Sequence, residues 1–180
     1  MAGLLAVCRA IDAVNTVVHR VVMWLVLVAI LISAGNAVSR KVLSISSNAF
    51  LELQWYLFSA VFLLAAGYTL LKGEHVRIDI LYGRFERRTQ VWIDIAGTVL
   101  FLMPFCLITI WLVWPQVVSR FVSGEVSPNP GGLVFWPAWA LIPAGFSLLA
   151  LQGLSEIGKR VAFLAGAGPD PALQQTKSAH

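Results

Sequence analysis

The stretch VVMWLVLVAILISAGNAV, at residues 21–38, decides the fold class of this chain. It holds no charged side chain over 18 residues, and an apolar run of that length predicts a transmembrane helix. Three further runs of at least that length lie at residues 50–71, 91–118 and 133–154. Together the four runs predict an all-α integral membrane protein with four transmembrane helices. We expect one membrane domain over residues 1–165 and a disordered tail over residues 166–180.

The composition of the whole chain excludes the main classes of soluble protein. Of its 180 residues, 58% are hydrophobic and only 12% are charged, whereas an average soluble domain carries about 25% charged residues. A single core of this size could not bury so much apolar surface, and a disordered chain would hold far fewer apolar residues. The two cysteines, one near the N-terminus and one in an apolar run, indicate neither a disulfide scaffold nor a metal site.

The distribution of positive charge predicts the orientation in the membrane. Ten of the thirteen lysines and arginines lie in the N-terminal segment, in the loop between the second and third runs, and after the fourth run, where Lys159, Arg160 and Lys177 stand. The other two loops carry three. Because positive residues are retained in the cytoplasm, we expect both termini there. The formal net charge of +4 is therefore attributed to the membrane surface, and no nucleic-acid partner is expected.

Residues 3–18 form a separate feature, because apolar side chains recur there at helical spacing and polar ones fall on the opposite side. We predict an amphipathic helix on the cytoplasmic surface before the first span. A plain N-terminal extension of that span is the alternative. A cleaved signal peptide is a further alternative, although residues 21–38 are longer than the usual apolar region of such a peptide. The apolar set is Leu4, Val7, Cys8, Ile11, Val14 and Val18, and the polar set is Arg9, Asp12, Thr16 and His19.

Polar side chains cluster at the start of the second run, close to the expected outer surface. Glu52 stands in its first turn and is followed by Gln54, Trp55 and Tyr56. Glu52 is either an ion ligand or an interhelical hydrogen-bond partner, or else an interfacial acid that the helix dipole favours beside an aromatic belt. The run centres are apolar and predict no passage for a solute.

The loop between the second and third runs is the most charged segment of the chain. The sequence KGEHVRID, at residues 72–79, places five ionisable side chains at the membrane exit. We expect Gly73 to end the second helix in a left-handed conformation. Arg77 would then pair with Glu74, Asp79 or Asp94.

Asp94 lies at the cytoplasmic start of the third run, one to two turns after Arg87 and Arg88. We expect local ion pairs there.

Three features together resemble a known family. They are Glu52 at the start of the second span, the aromatic Tyr-Leu-Phe stretch at residues 56–58, and the segment Glu-His-Val-Arg-Ile-Asp at residues 74–79. In these respects the chain resembles the DctQ-type small permease, the small membrane subunit of tripartite ATP-independent periplasmic (TRAP) transporters. The residues that we predict to support the fold or the subunit interface are Glu52, Gln54, Trp55, Tyr56, Glu74, His75, Arg77, Asp79 and Asp94.

The resemblance implies a division of labour between subunits. A large multi-span permease would carry the solute and sodium sites in the bacterial inner membrane, and a periplasmic binding protein would deliver the solute. The small subunit would brace the large one as a scaffold in the lipid bilayer, with no catalysis and no cofactor. The stretch ELQWYLF, at residues 52–58, resembles the branch often associated with organic acids.

Two other functions remain as alternatives. His19 and His75 both fall near the predicted cytoplasmic face and could ligate a b-type haem, as in a haem- or quinone-linked membrane anchor of a respiratory complex. The chain could also act as a small self-sufficient transporter. None of the familiar catalytic motifs is present in the sequence, so no enzyme activity is expected.

Overall fold

Four helical segments follow one another along the chain and pack side by side in alternating directions. The computed structural model describes residues 1–42, 48–73 and 85–170. Helix α1 is Ala2–Val42 and α2 is Asn48–Lys72. The third segment consists of α3 (Arg87–Gly97), a π-helical turn (Thr98–Leu102) and α4 (Met103–Ser123), and the last helix is α5 (Trp136–Leu164).

Each of the four segments is long and apolar enough to cross a membrane, as the sequence predicts. Three of them extend beyond the predicted runs at both ends. Helix α5 differs, because it begins three residues after the expected start at residue 133 and continues to Leu164. Its start is delayed because the backbone N–H of Leu133 donates to the Glu52 carboxylate on α2 and that of Phe135 donates to the Glu125 carbonyl in the preceding loop. The helix continues past the apolar run through the largely polar residues 155–160, of which Ser155, Glu156 and Arg160 are buried.

Helix α1 is continuous over 41 residues, which corresponds to about 60 Å at the usual rise per residue. Residues 3–18 therefore join the first span without a break, as the alternative of a helical extension requires. The buried side of α1 is formed by Cys8, Asn15, Val22 and Ala29, which recur every seventh residue. The predicted polar side includes Asp12, which contacts α5. Whether this segment also lies on a membrane surface stays a prediction.

The third segment contains a π-helical turn in its middle. The backbone N–H of Met103 donates to the carbonyl of Thr98, five residues earlier. Pro104 follows and has no N–H to donate, so an ordinary α-helical ladder could not continue unbroken through this point. The turn lies against Gly153 of α5, where a Cβ atom would come within 2.9 Å of Leu102.

Helix α5 is the centre of the fold. Ten of its 29 residues are buried, whereas the longer α1 buries four. Three glycines on α5 allow three different neighbours to approach. A Cβ on Gly145 would lie 2.7 Å from the carbonyl oxygen of Leu63 on α2, and one on Gly158 would lie 2.8 Å from Cys8 Sγ on α1. The absence of a side chain at Gly153 likewise allows the third segment to approach α5.

The loop before α5 forms a short hairpin over residues 124–135. Gly124 ends α4 with φ 62°, a left-handed conformation that favours glycine. Val126 and Val134 form an antiparallel bridge, and Ser127 N–H donates to the Leu133 carbonyl at 2.9 Å. We call this end of the bundle the hairpin end. The opposite end, where α1 begins and α5 ends, is the terminal end.

Candidate functional site: polar contacts that join the helices

Buried polar side chains converge at the terminal end on one face of α5. We call this set the terminal-end network. It joins α1 and α3 to α5, and its members are Asp12, Asn15, Asp94, Gln152, Ser155, Glu156, Lys159 and Arg160.

Gln152 forms the innermost part of this network and has no exposed surface. Asn15 donates from Nδ2 to Gln152 Oε1 at 2.9 Å, and Gln152 donates from Nε2 to Asp12 Oδ1 at 2.8 Å. Ser155 adds a hydroxyl donor to the same Asp12 oxygen at 2.8 Å. Such bonds are expected of buried polar groups, since an unpaired one is costly in an apolar environment. They fix the position of α1 against α5.

Lys159 extends the network toward the end of α5. Its Nζ lies 3.2 Å from Asp12 Oδ2 and also pairs with Glu156 one turn earlier. The lysine side chain is 13% exposed and that of Glu156 only 3%, so both charges are largely removed from solvent. Each therefore depends on its partner for stabilisation.

Arg160 connects α5 to the third segment. Its Nε and Nη2 atoms each lie 3.2 Å from Asp94 Oδ2 on α3, and its Nη1 pairs with Glu156. The sequence places Asp94 near Arg87 and Arg88, but the structure gives Asp94 a partner on the last helix. Arg87 instead holds Asp170 with two hydrogen bonds, which brings the first residues of the tail onto α3.

A second set of contacts, the hairpin-end anchor, is centred on Glu52 in the first two turns of α2. Glu52 Oε1 accepts hydrogen bonds from the hydroxyl of Ser127 and from Asn129 Nδ2, the latter at 2.9 Å. Glu52 Oε2 accepts the backbone N–H of Leu133 at 2.7 Å. One carboxylate thus ties α2 to both arms of the hairpin. Among the described residues, Glu52 forms hydrogen bonds to the hairpin and not to another helix, and the roles that the sequence leaves open for it stay predictions.

The aromatic and amide neighbours of Glu52 take separate positions. Tyr56 donates its hydroxyl to the Val134 carbonyl at 3.0 Å and so reinforces the hairpin-end anchor. Trp55 is 73% exposed on the outside of the bundle. Gln54 lines a groove between α1 and α2. The structure therefore brings Glu52 and Tyr56 together and separates them from Trp55 and Gln54.

The charged loop after α2 lies largely outside the described residues. Gly73 is described, and it ends α2 with φ 71° and a hydrogen bond to the Leu70 carbonyl, as predicted. Glu74, His75, Arg77 and Asp79 are not described, so their roles and the proposed pairing of Arg77 stay predictions.

The chemistry of these contacts is that of ion pairs and hydrogen bonds between helices. In the terminal-end network three carboxylates face one lysine and one arginine, with amide and hydroxyl donors completing the bonds. Among the residues that the structure describes, no group of three or more histidine, cysteine or acidic side chains could hold a metal ion. The arrangement is suited to joining helices.

Comparison with known families gives the context of this arrangement. The family model described as tripartite ATP-independent periplasmic transporters, DctQ component, matches residues 29–163. The chain belongs to the DctQ family. It is thus the small permease component of a TRAP transporter and a multi-pass membrane protein, as the resemblance in its sequence predicts. No curated protein and no solved structure matches the chain.

The matched region of this DctQ chain begins within α1 and covers α2 to α5 almost completely. It includes the hairpin-end anchor and the α5 half of the terminal-end network. Asp12 and Asn15 lie before it.

The match does not support the alternative of a haem- or quinone-linked anchor. His19 stacks face to face on Tyr68, with ring centroids 3.8 Å apart, and His75 lies outside the described residues.

Sequence reasoning missed most of the terminal-end network. It took Asp12 as part of the polar side of the N-terminal helix. It counted Lys159 and Arg160 only as positive charges after the fourth run. It gave no role to Asn15, Gln152, Ser155 or Glu156. A signal was present, because residues 152, 155, 156 and 159 follow the i, i+3, i+4, i+7 pattern of one helix face.

Proposed function

We propose that this chain is a non-catalytic scaffold subunit that braces the large permease subunit of a TRAP transporter. The large subunit imports an organic acid that a periplasmic binding protein delivers, coupled to sodium. Both termini of the scaffold are cytoplasmic, so that the terminal end faces the cytoplasm and the hairpin end faces the periplasm. The family membership supports the assembly, and the charge distribution supports the orientation.

The observation that carries the scaffold role is the terminal-end network. Glu156 and Arg160 are 2% and 6% exposed, and both are bonded to partners within the chain. Charged groups along a transport pathway line a cavity or face the permeating solute. Here they hold α1, α3 and α5 together, and a rigid bundle of this kind suits a brace.

The experiment is co-expression of an affinity-tagged form of this chain with the large permease of the same transporter. We expect the two to purify together in detergent. Proteoliposomes with both subunits and the binding protein should take up solute, and those with this chain alone should not. Uptake by this chain alone would favour a self-sufficient transporter. Full uptake by the large subunit alone would overturn the scaffold role.

A further inference from the structure

A groove of about 310 Å³ lies on the outer surface of the bundle between α1 and α2, toward the hairpin end. Its walls are mostly apolar and small, and Phe58 closes one side. The lining residues on α1 are Ala29, Ile30, Ser33, Ala34 and Ala37, and those on α2 are Gln54 and Phe58. Among the described residues no side chain of this bundle fills it.

Two cations stand at the end of the groove. Arg40 and Lys41 occupy the last turn of α1 and are exposed. They lie three and four residues after Ala37, which places them on the groove side of the helix, about one turn nearer the membrane surface. In the part of the chain that the structure describes, no carboxylate pairs with either. The intervening residues 43–47 contain no acidic side chain in the sequence.

Gln54 supplies a polar group at the groove wall. It is half-buried in the second turn of α2, and its amide makes no hydrogen bond to any residue that the structure describes. An amide in an apolar span is stabilised by a partner. The apolar walls of the groove therefore match the acyl chain of a phospholipid. The Gln54 amide matches its ester, and Arg40 and Lys41 at the end of the groove match its phosphate.

The attraction for a phosphate at this position comes from the side chains of Arg40 and Lys41 and not from the end of the helix. The last turn of a helix carries partial negative charge on its free carbonyls and by itself repels an anion. Arg40 and Lys41 must therefore supply the affinity, since basic side chains near a membrane surface attract anionic lipid headgroups. A neutral headgroup would gain less from the same site.

We propose that this groove binds one acyl chain of an anionic phospholipid, whose phosphate is held by Arg40 and Lys41 and whose ester accepts a hydrogen bond from Gln54. The proposal goes beyond the scaffold role and does not depend on it. It places a bound lipid in the groove between α1 and α2 as a component of the folded protein.

The test uses the full-length chain in nanodiscs made from equal parts of phosphatidylglycerol and phosphatidylcholine. After release into detergent, native mass spectrometry counts the lipids that stay bound. The wild type should retain phosphatidylglycerol in preference to phosphatidylcholine. The double variant Arg40→Gln, Lys41→Gln should retain about tenfold less. The matched control, Arg9→Gln with Arg20→Gln, removes two exposed cations at the terminal end and should behave as the wild type.

A second variant tests the groove itself. Ala34→Leu should fill it and displace phosphatidylglycerol, whereas Ala96→Leu, at an exposed alanine on α3, should not. Equal retention of phosphatidylglycerol in the wild type and the double variant would overturn the proposal. It would also be overturned if Ala34→Leu left lipid retention intact and abolished co-purification of the large permease, because the groove would then receive a partner helix. Size-exclusion profiles and circular dichroism show that each variant is folded.

Discussion

Arg160 on α5 and Asp94 on α3 form an ion pair in which two guanidinium nitrogens lie 3.2 Å from the same carboxylate oxygen. Arg160 also pairs with Glu156, and Glu156 pairs with Lys159, which reaches Asp12 on α1. A continuous chain of charges thus connects the first, third and fourth spans at the terminal end.

Replacement of Arg160 should destabilise the bundle strongly. Arg160→Met leaves Asp94 without the guanidinium and weakens the pairing of Glu156, and loss of one partner of a buried pair costs about 3–5 kcal/mol. We expect a clear drop in the thermal unfolding temperature of the purified protein in detergent. Arg88→Met, at an exposed arginine on α3, is the control and should leave it unchanged. Equal unfolding temperatures for the two variants would show that the pair contributes nothing.

Gly145→Ala should also destabilise the bundle, for a steric reason. The added Cβ would lie 2.7 Å from the Leu63 carbonyl, and backbone cannot move aside as a side chain can. Gly35→Ala is the matched control, because nothing lies within 4 Å of its Cβ position. There the alanine should stabilise the helix by about 0.5–1 kcal/mol. Opposite shifts in unfolding temperature are expected, and shifts of the same sign would contradict the packing described at α5.

Glu52→Ala should release the hairpin from α2. It removes the acceptor for the Ser127 hydroxyl, the Asn129 amide and the Leu133 backbone N–H, which are the side-chain contacts that hold the hairpin to Glu52. Limited proteolysis should therefore cut within residues 124–135 faster than in the wild type. Glu125→Ala is the control, since its pair with Arg120 is half exposed and spans 3.5 Å. Similar cleavage rates in both variants would argue against the hairpin-end anchor.

The proposed orientation is tested with reporter fusions. A reporter placed after His180 should report the cytoplasm, and one placed at Pro128 in the hairpin should report the periplasm. The reason is that ten of the thirteen basic residues lie, in the sequence, before the first span, between the second and third spans, or after the fourth. A periplasmic signal from the fusion at the C-terminus would contradict the orientation and leave the helix packing unaffected.

The spans could be predicted from the sequence because lipid requires long apolar runs, and those runs are visible without any tertiary information. Glu52 could be selected because a lone acid near the start of a span is rare. The partners of Glu52 could not be predicted from the sequence, since they depend on how residues 127–133 fold back onto α2. Gln152 was missed because it is a single amide in the last turn of the apolar run, and Glu156 was missed because it follows that run, where polar residues usually meet water. The approach of α1 to the end of α5 is what buries them.

In the proposed scaffold, the terminal-end network joins helices and does not conduct solute. The most direct test is uptake by proteoliposomes that contain the complete transporter with Asp12→Asn and Lys159→Gln in this chain. These replacements remove a pair of charges 3.2 Å apart and keep polar groups in their place. The account predicts that uptake per assembled complex, measured below the unfolding temperature, equals that of the wild type. Loss of uptake in a fully assembled complex would contradict it.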